Sequence, residues 1–239
     1  MSGPRWSVVI PAFNEARRLP RYLAEVVTYF DGRDEGYEVL IADDGSTDGT
    51  QDAVAPMVRA NGSVRVLRRD RNEGKGSAVR WGMLAARGEH RLFTDADGAT
   101  PIGEVKRLEA ALLGGAEVAV GSRTLPDPSV SVVARRHRVV AGRVFSWVVR
   151  RLVLPGIADS QCGFKAFTAK AAVDLFERLR TPGFAFDVEL LFLARASGYR
   201  IAEVPVNWTD QPGSKVRVLG NGPRMLWEVA AARARVGRR

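Results

Sequence analysis

The chain has 239 residues, 46% of them hydrophobic, which suits one α/β domain with a full apolar core. Its formal net charge is +9, and its one cysteine, Cys162, excludes an internal disulfide framework and a four-cysteine zinc site. No run approaches the roughly 18 consecutive apolar residues of a membrane-spanning helix, and the first residues lack the apolar core of a signal peptide. We therefore expect a cytoplasmic protein.

The first half of the chain alternates strand-like and helix-like segments. Strands are predicted from short apolar runs, and helices from apolar residues spaced three and four positions apart. Repeated strand–helix units form a mostly parallel sheet that helices cover on both faces. The predicted strands are residues 7–11, 37–42, 64–67, 91–94 and 117–120, and the predicted helices are residues 17–30, 50–60, 76–86 and 104–113.

The second half of the chain is less regular, but no linker, repeat or low-complexity tract separates it from the first. We therefore predict a single domain over residues 1–239, with a first half, 1–120, and a second half, 121–239. The predicted elements of the second half are a helix over 133–154, a helix over 185–196 that Gly198 ends, a strand over 199–206 and a basic C-terminal helix over 224–239.

Positive charge is concentrated in the second half. Residues 1–120 carry 16 Lys and Arg against 18 Asp and Glu, whereas residues 121–239 carry 20 against 9. A basic region of this kind can meet an anionic partner such as phosphates or an acidic lipid surface, or it can be a solvated face. Within it, the basic amphipathic segment 133–154 fits either a membrane interface or an ordinary helix packed on the core.

Two predicted strands end in pairs of carboxylates, Asp43 with Asp44 and Asp95 with Asp97. In an open α/β sheet, ligands bind outside the carboxyl ends of the strands. Two carboxylates one residue apart on such a loop can hold a hard divalent cation, which in turn can hold a diphosphate. This pattern predicts an enzyme that handles a nucleoside diphosphate.

The glycine-rich segment around Lys75 resembles a phosphate loop but does not match one. A Walker A motif needs Gly at position 69, which is Arg, and Ser or Thr at position 76, which is Gly. The segment is either a plain helix start with flexible glycines or a helix N-terminus from which Lys75 reaches phosphate oxygens.

A set of eight segments identifies a resemblance to a known family. Together and in this order they resemble family 2 glycosyltransferases with the GT-A fold, and within these the synthases of dolichyl- or polyprenyl-phosphate sugars. The pair DADGAT and DSQCGFK is most similar to the branch that transfers glucose. The segments are PAFNEARRLPRYL, IADDGSTDGT, RNEGKGSAVRWGM, FTDADGAT, GSR, DSQCGFKAFT, GFAFDVELLFLA and GYRIAEVPVNW, spanning residues 11–208.

The resemblance implies a Rossmann-like, mostly parallel α/β sheet and a nucleotide-sugar site in the first half. Asp43 matches the residue that contacts the base, Lys75 lies near the donor phosphates, and Asp95 with Asp97 matches the metal-binding D-x-D, with Mg²⁺ or Mn²⁺ as cofactor. The residues expected to line the nucleotide sugar are Pro11, Ala12, Asn14, Glu15, Asp43, Asp44, Lys75, Asp95, Ala96, Asp97 and Gln161.

The resemblance also implies a catalytic and acceptor side in the second half. Arg123 and Arg136 fall where polyprenyl-phosphate enzymes place arginines on phosphates, although Arg135 or Arg138 could take the role of Arg136. Lys165 belongs to the DSQCGFK segment, expected as a loop near the sugar and acceptor. Asp187 and Glu189 lie where other GT-A enzymes keep an acidic residue facing the acceptor, or they form a salt-bridged helix start. The residues expected to be catalytic are Asp187, Arg123, Arg136 and Lys165.

This sequence departs from its relatives at two places. Some mannose-transferring relatives place a Gln metal ligand two residues after the second Asp, where this chain has Ala99. Many relatives also carry C-terminal membrane helices, which this sequence lacks, so we expect only peripheral contact with the membrane.

These features together predict an inverting enzyme that moves glucose from UDP-glucose to a polyprenyl phosphate on the inner membrane face. The alternatives are a GDP-mannose-dependent relative and an enzyme with a soluble acceptor. Nucleic-acid binding is disfavoured, because the sequence contains no recognised motif for it and the aromatic residues do not interleave with the basic ones.

Overall fold

The computed structural model describes residues 3–133 and 156–212, together with residues 228, 231, 233 and 235 of the C-terminal segment. Its centre is a seven-stranded sheet in the order β3-β2-β1-β4-β7-β5-β8, and a two-stranded ribbon, β6-β9, lies outside this sheet. The strands are β1 Trp6–Ala12, β2 Tyr37–Asp43, β3 Val64–Arg68, β4 His90–Thr94, β5 Val118–Ser122, β6 Val132–Val133, β7 Phe164–Thr168, β8 Ile201–Pro205 and β9 Trp208–Thr209.

The strands of the first half run parallel, and all of them except the edge strand β3 are largely buried. Every residue of β1 is buried, as are all residues of β2 after the first. Such strands are mostly apolar because helices cover both faces of the sheet. The sequence therefore predicted all five strands of this half, each within one or two residues of its observed ends.

One central strand, β7, was missed by the sequence analysis. It runs antiparallel between β4 and β5, with Thr94 paired to Phe164 and Val120 paired to Lys165. The expectation that Lys165 lies in a loop is therefore wrong, since this lysine is in the middle of the sheet. A lysine inside the five-residue segment FKAFT hides the strand pattern, because a charged side chain is rarely fully buried unless it is paired.

In the ranges 3–133 and 156–212, six α-helices cover the sheet in two layers. Val26 of α1, Val54 of α2 and Leu108 of α4 belong to one buried apolar cluster, and the opposite cluster contains residues of α3, α5 and α6. All the predicted helices that fall in the described ranges are confirmed, and α5 was not predicted. The helices are α1 Leu19–Asp31, α2 Thr50–Ala60, α3 Lys75–Ala85, α4 Val105–Leu113, α5 Ala169–Arg178 and α6 Phe186–Ala196.

Part of the basic second half lies outside the described residues. The predicted amphipathic helix over 133–154 falls there, apart from Val133, which is in β6. The predicted C-terminal helix is described at four positions, all of them helical. In the described parts of the chain, every helix is too short or too polar to cross a bilayer.

Gly82 lets α3 pack closely on β1. A Cβ atom at this position would lie 2.4 Å from Cγ1 of Val9, closer than packed atoms approach. The Gly82→Ala variant should lose about 1–3 kcal/mol of unfolding free energy, because overpacking outweighs the roughly 0.5–1 kcal/mol by which Ala favours a helix.

Urea denaturation of Gly82→Ala and of a control, Gly103→Ala, checks this packing. A Cβ atom at Gly103 would have no atom within 4 Å, so the control should stay within about 0.5 kcal/mol of the parent. Equal stability of the two variants would show that α3 is not held against β1 as described.

Candidate active site

The loops that follow β1, β2 and β4 meet at one edge of the sheet. The parallel register pairs Ala12 with Asp43, and Val9 with Phe93, so these strands end side by side. The carboxyl ends of parallel strands form the ligand-binding edge of an open α/β sheet. The two acidic pairs predicted from the sequence are thereby brought to the same edge.

The loop after β1 is cross-linked to the loop after β2. Asn14, which has a positive φ of 54°, donates its backbone N–H to Oγ of Ser46 and accepts a hydrogen bond from the backbone N–H of Thr47. The N–H of Glu15 donates to Oγ1 of Thr50. Pro11 and Ala12 are buried at the end of β1, so their backbone forms the floor of this loop pair.

Asp43 and Asp44 are both buried but have different partners. Oδ1 of Asp43 accepts the backbone N–H of Ser46, whereas its buried Oδ2 has no hydrogen-bond partner among the described residues. The carboxylate of Asp44 accepts the N–H groups of Glu73 and Gly74. Asp43 therefore offers an acceptor to a ligand, and Asp44 positions the loop that carries Lys75.

Lys75 is the first residue of α3, and its side chain points to the end of β4. Its Nζ lies 2.5 Å from Oδ1 of Asp95. Burial by itself would lower the pKa of Lys75, but the charges of Asp95 and Asp187 raise it. The preceding Gly74 has a φ of 103° and packs so closely on the carbonyl of Pro182 that a Cβ atom would clash. This lysine is thus a cation held in place beside the acidic pair.

Asp95 and Asp97 present carboxylate oxygens to the same region. Burial and the neighbouring charge of Asp95 raise the pKa of Asp97. Nη1 of Arg18 lies 3.6 Å from Oδ2 of Asp97, while Oδ1 of Asp97 accepts the N–H of Ala99. Ala96, between the two aspartates, is buried in the apolar core, so its side chain does not face the site.

The donor set fits a hard divalent cation that also binds a phosphate. No group of three or more His, Cys, Asp and Glu side chains in the described ranges could enclose a metal ion. Asp95 and Asp97 could supply two oxygen ligands, and Mg²⁺ in particular is usually bound by one or two carboxylates plus water and substrate phosphate. Burial, together with the nearby charge of Asp95, raises the pKa of Asp97, and a bound cation would offset both effects.

The segment before β7 lies directly against Asp95. The N–H of Asp95 donates to the carbonyl of Gly163, and a Cβ atom at position 163 would overlap the Asp95 carboxylate. Nε2 of Gln161 is buried without a hydrogen-bond partner in the described structure. Gln161 therefore carries an unused buried donor two residues before Gly163, which contacts Asp95.

Arg123 is clamped by a buried carboxylate. Its Nε and Nη2 donate to the two oxygens of Asp159 at 2.7 and 2.8 Å, and its guanidinium lies over the ring of Trp208. Burial by itself would raise the pKa of Asp159, but the charge and hydrogen bonds of Arg123 lower it. Asp159 in turn donates its N–H to Glu203. The predicted phosphate contact of Arg123 would therefore use the N–H groups of the guanidinium that do not bind Asp159.

Lys165 and Asp187 form a buried ion pair. Nζ of Lys165, a fully buried residue, lies 2.5 Å from Oδ1 of Asp187 and also donates to the carbonyl of Cys162. Burial raises the pKa of Asp187, although Lys165 and Lys75 act to lower it. In this arrangement Lys165 would influence a substrate through Asp187 rather than by direct contact.

The predictions for Arg136 and Glu189, both expected on the acceptor side, have different outcomes. Arg136 lies outside the described residues, as do Arg135 and Arg138. Glu189 accepts the N–H groups of Arg180 and Thr181 and pairs with Arg235. Glu189 therefore holds the loop between α5 and α6. These structural contacts explain its carboxylate without any contact to an acceptor substrate.

Sequence analysis missed two charged residues of the site, Arg18 and Asp159. Arg18 follows Glu15 by three positions and binds both oxygens of its carboxylate, a spacing that the sequence displays. Asp159 is the first residue of the DSQCGFK segment, but no partner was predicted for its side chain. Its contact with Arg123 joins positions 36 residues apart, which no local pattern indicates.

Comparisons of the sequence with known proteins show its family. The sequence model described as Glycosyl transferase family 2 matches residues 7–176. The chain is 40% identical to a protein named dolichyl-phosphate beta-glucosyltransferase from Drosophila melanogaster, over 88% of this chain and 68% of that protein. It is 39% identical to a Homo sapiens protein of the same name, over 88% of this chain and 69% of that protein.

Solved structures confirm the expected GT-A fold. The chain is similar to glucosyl-3-phosphoglycerate synthase from Mycobacterium tuberculosis in complex with UDP, with a TM-score of 0.72 and 21% identity, over 98% of this chain and 81% of that one. The complex of that enzyme with Mn²⁺ and UDP-glucose has a TM-score of 0.70 at 22% identity, over 97% of this chain and 79% of that one. The mostly parallel sheet flanked by helices is therefore the shared architecture.

The Lys165→Met variant should be destabilised by about 3–5 kcal/mol, because it leaves the Asp187 charge buried without its partner. The double variant Lys165→Met/Asp187→Leu should regain much of this loss, since apolar residues can replace a buried ion pair at little cost. Urea denaturation of the single and double variants measures both effects.

The control for this pair is Arg21→Met, which removes one partner of the exposed ion pair between Arg21 and Glu25. That variant should stay within about 1 kcal/mol of the parent. If Lys165→Met were as stable as this control, Lys165 would not be a structural partner of Asp187.

Proposed function

The chain belongs to glycosyltransferase family 2, and from that premise we propose that it transfers glucose from UDP-glucose to a polyprenyl phosphate of the dolichyl type. The observation that carries the proposal is its 40% identity, over 88% of the chain, to a relative named dolichyl-phosphate beta-glucosyltransferase. Relatives of the same name in Mus musculus and Dictyostelium discoideum are 40% and 37% identical. The site described above supplies the physical basis for donor binding.

The first half of the chain is suited to bind the nucleotide. The buried Oδ2 of Asp43 has no partner among the described residues and can accept an N–H group of the base. The cross-linked loops after β1 and β2 keep Asn14 and Glu15 fixed beside it. This pre-organisation lowers the entropy that donor binding must overcome.

The acidic pair is suited to bind the diphosphate through a cation. Asp95 and Asp97 would hold Mg²⁺ or Mn²⁺, which would offset the negative charge that grows on the departing nucleoside diphosphate. Lys75 stands 2.5 Å from Asp95 and adds a second positive charge near the same phosphates. Gln161, whose buried Nε2 has no partner among the described residues, would contact the sugar.

A phosphate acceptor removes the need for a strong general base. The second pKa of a phosphate monoester is about 6, so at neutral pH its oxygen is already an anion. This oxygen attacks the anomeric carbon as the bond to the diphosphate breaks on the opposite side, which inverts the configuration and requires no proton removal. Asp187 is already paired with Lys165, an arrangement that suits positioning better than proton abstraction.

The acceptor would approach from the basic second half, in which Arg123 and Arg136 are the proposed phosphate ligands. Arg123 is fixed by Asp159 on one side of its guanidinium. Val132 and Val133 are exposed at the point where the chain enters the arginine-rich segment over residues 134–155. We place this face on the cytoplasmic surface of the membrane, with peripheral contact through apolar and basic side chains.

The Asp97→Asn variant should lose the stabilisation that UDP and Mn²⁺ together give to the parent protein. A ligand at 100 times its Kd stabilises the native state by about 2.7 kcal/mol, which a thermal-shift assay resolves. Asp127→Asn serves as the control, because Asp127 pairs with Arg107 outside the site. A variant Asp97→Asn that responds to UDP and Mn²⁺ like the parent would contradict the metal assignment.

A transfer assay tests the proposed reaction. The protein is incubated with radiolabelled UDP-glucose, Mn²⁺ and liposomes that contain a polyprenyl phosphate, and we expect labelled glucose to enter the organic extract. Labelled GDP-mannose and a water-soluble phosphate acceptor are run in parallel. Transfer from GDP-mannose alone, or product that stays in water, would replace the proposal with the corresponding alternative.

A further inference from the structure

Lys75 forms an ion pair with Asp95, one of the two carboxylates that would bind a metal ion. Its Nζ lies 2.5 Å from Oδ1 of Asp95, a contact typical of a strong ion pair. In the described part of the chain, Asp95 is the one carboxylate within ion-pair distance of this ammonium. The ring centroid of Phe186 lies 5.9 Å from the ammonium, and the charge of Asp187 also acts on it, from beyond ion-pair distance. The position of the ammonium therefore depends on Asp95.

Arg18, the other cation at the acidic pair, is held differently. Its Nε and Nη2 bind both oxygens of Glu15 at 2.7 and 2.6 Å, and only its Nη1 faces Asp97, at 3.6 Å. Glu15 is buried and is itself tied by its N–H to Thr50. Arg18 would therefore keep its place if Asp97 took another partner, whereas Lys75 would lose its ion pair if Asp95 did so.

We propose that Lys75 is a resident counter-ion of Asp95, which competes with the divalent cation in the free enzyme and transfers to the donor phosphates when cation and nucleotide bind together. The inference rests on the proposed function for the acidic pair. The flexible four-carbon stem of a lysine allows this exchange, and its ammonium is a compact charge that can bind either a carboxylate or a phosphate.

The exchange couples the binding of the cation to the binding of the nucleotide. Without nucleotide, a divalent cation at Asp95 must displace the Lys75 ammonium and is repelled by it. With nucleotide present, the phosphates give the ammonium a new anionic partner, so the same cation binds more readily. Because such coupling is reciprocal, the cation must strengthen nucleotide binding by the same factor. The free enzyme would thus avoid holding a cation without its donor.

The Lys75→Met variant tests this exchange because its two expected effects have opposite signs. Without nucleotide, the variant should bind Mn²⁺ about tenfold more tightly than the parent, since a repelling charge is gone. It should bind UDP about tenfold more weakly in the presence of Mn²⁺, since a phosphate ligand is gone. Electron paramagnetic resonance of free Mn²⁺ gives the first affinity, and calorimetric titration gives the second.

Lys170→Met is the matched control, because it removes the same charge at the far end of the sheet. Lys170 is exposed, and it follows Thr168, which pairs with His90 at the opposite end of β4 from Asp95. This variant should bind Mn²⁺ and UDP like the parent. A rise in its Mn²⁺ affinity equal to that of Lys75→Met would mean that net charge alone is responsible, and would overturn the inference.

Two outcomes separate the inference from the proposed function. If the parent binds no Mn²⁺ with or without UDP, the metal assignment fails and the inference fails with it. If the parent binds Mn²⁺ but Lys75→Met binds it no more tightly without nucleotide, only the inference fails. The parent offers a test that needs no variant: UDP should tighten its Mn²⁺ binding at least about tenfold, and equal affinities would overturn the exchange.

Discussion

The constraint on which this site depends is the placement of two carboxylates, Asp95 and Asp97, within one turn at the end of β4. The two negative charges repel each other, and the repulsion grows as water is excluded. Two cations from other elements partly offset this repulsion, namely Lys75 at the start of α3 and Arg18 before α1. Glu15 positions the guanidinium of Arg18, and Asp44 positions the loop before Lys75 through the N–H of Gly74.

The same principle governs the second half of the site, where the charges are more deeply buried. Lys165 with Asp187 and Arg123 with Asp159 pair groups that would each be costly to bury alone. These pairs lie beside the acidic pair, since Gly163 of the intervening segment touches Asp95. Much of the positive charge near the acidic pair is therefore held in ion pairs that contribute to the fold.

An element of this fold could be predicted where the interactions that form it are local in the sequence, and was missed where they join distant residues. The helix over 50–60 was predicted with its observed ends, because apolar periodicity and helix-start residues are local signals. Strand β7 was missed because Lys165 interrupts its apolar run. That lysine is tolerated only because Asp187, 22 residues further on, neutralises it. A local pattern carries no information about such a partner.

The sequence by itself determined the family, the parallel order of strands and helices in the first half, and the set of charged residues at the strand ends. The tertiary structure alone decided which of these charges are paired. Asp43 and Asp44 are adjacent and chemically alike, yet Oδ2 of Asp43 has no hydrogen-bond partner among the described residues, while Asp44 accepts the N–H of Gly74, 30 residues away. The reason is physical: periodicity reports which face a residue occupies, whereas the partner of a charge depends on how distant segments meet in space.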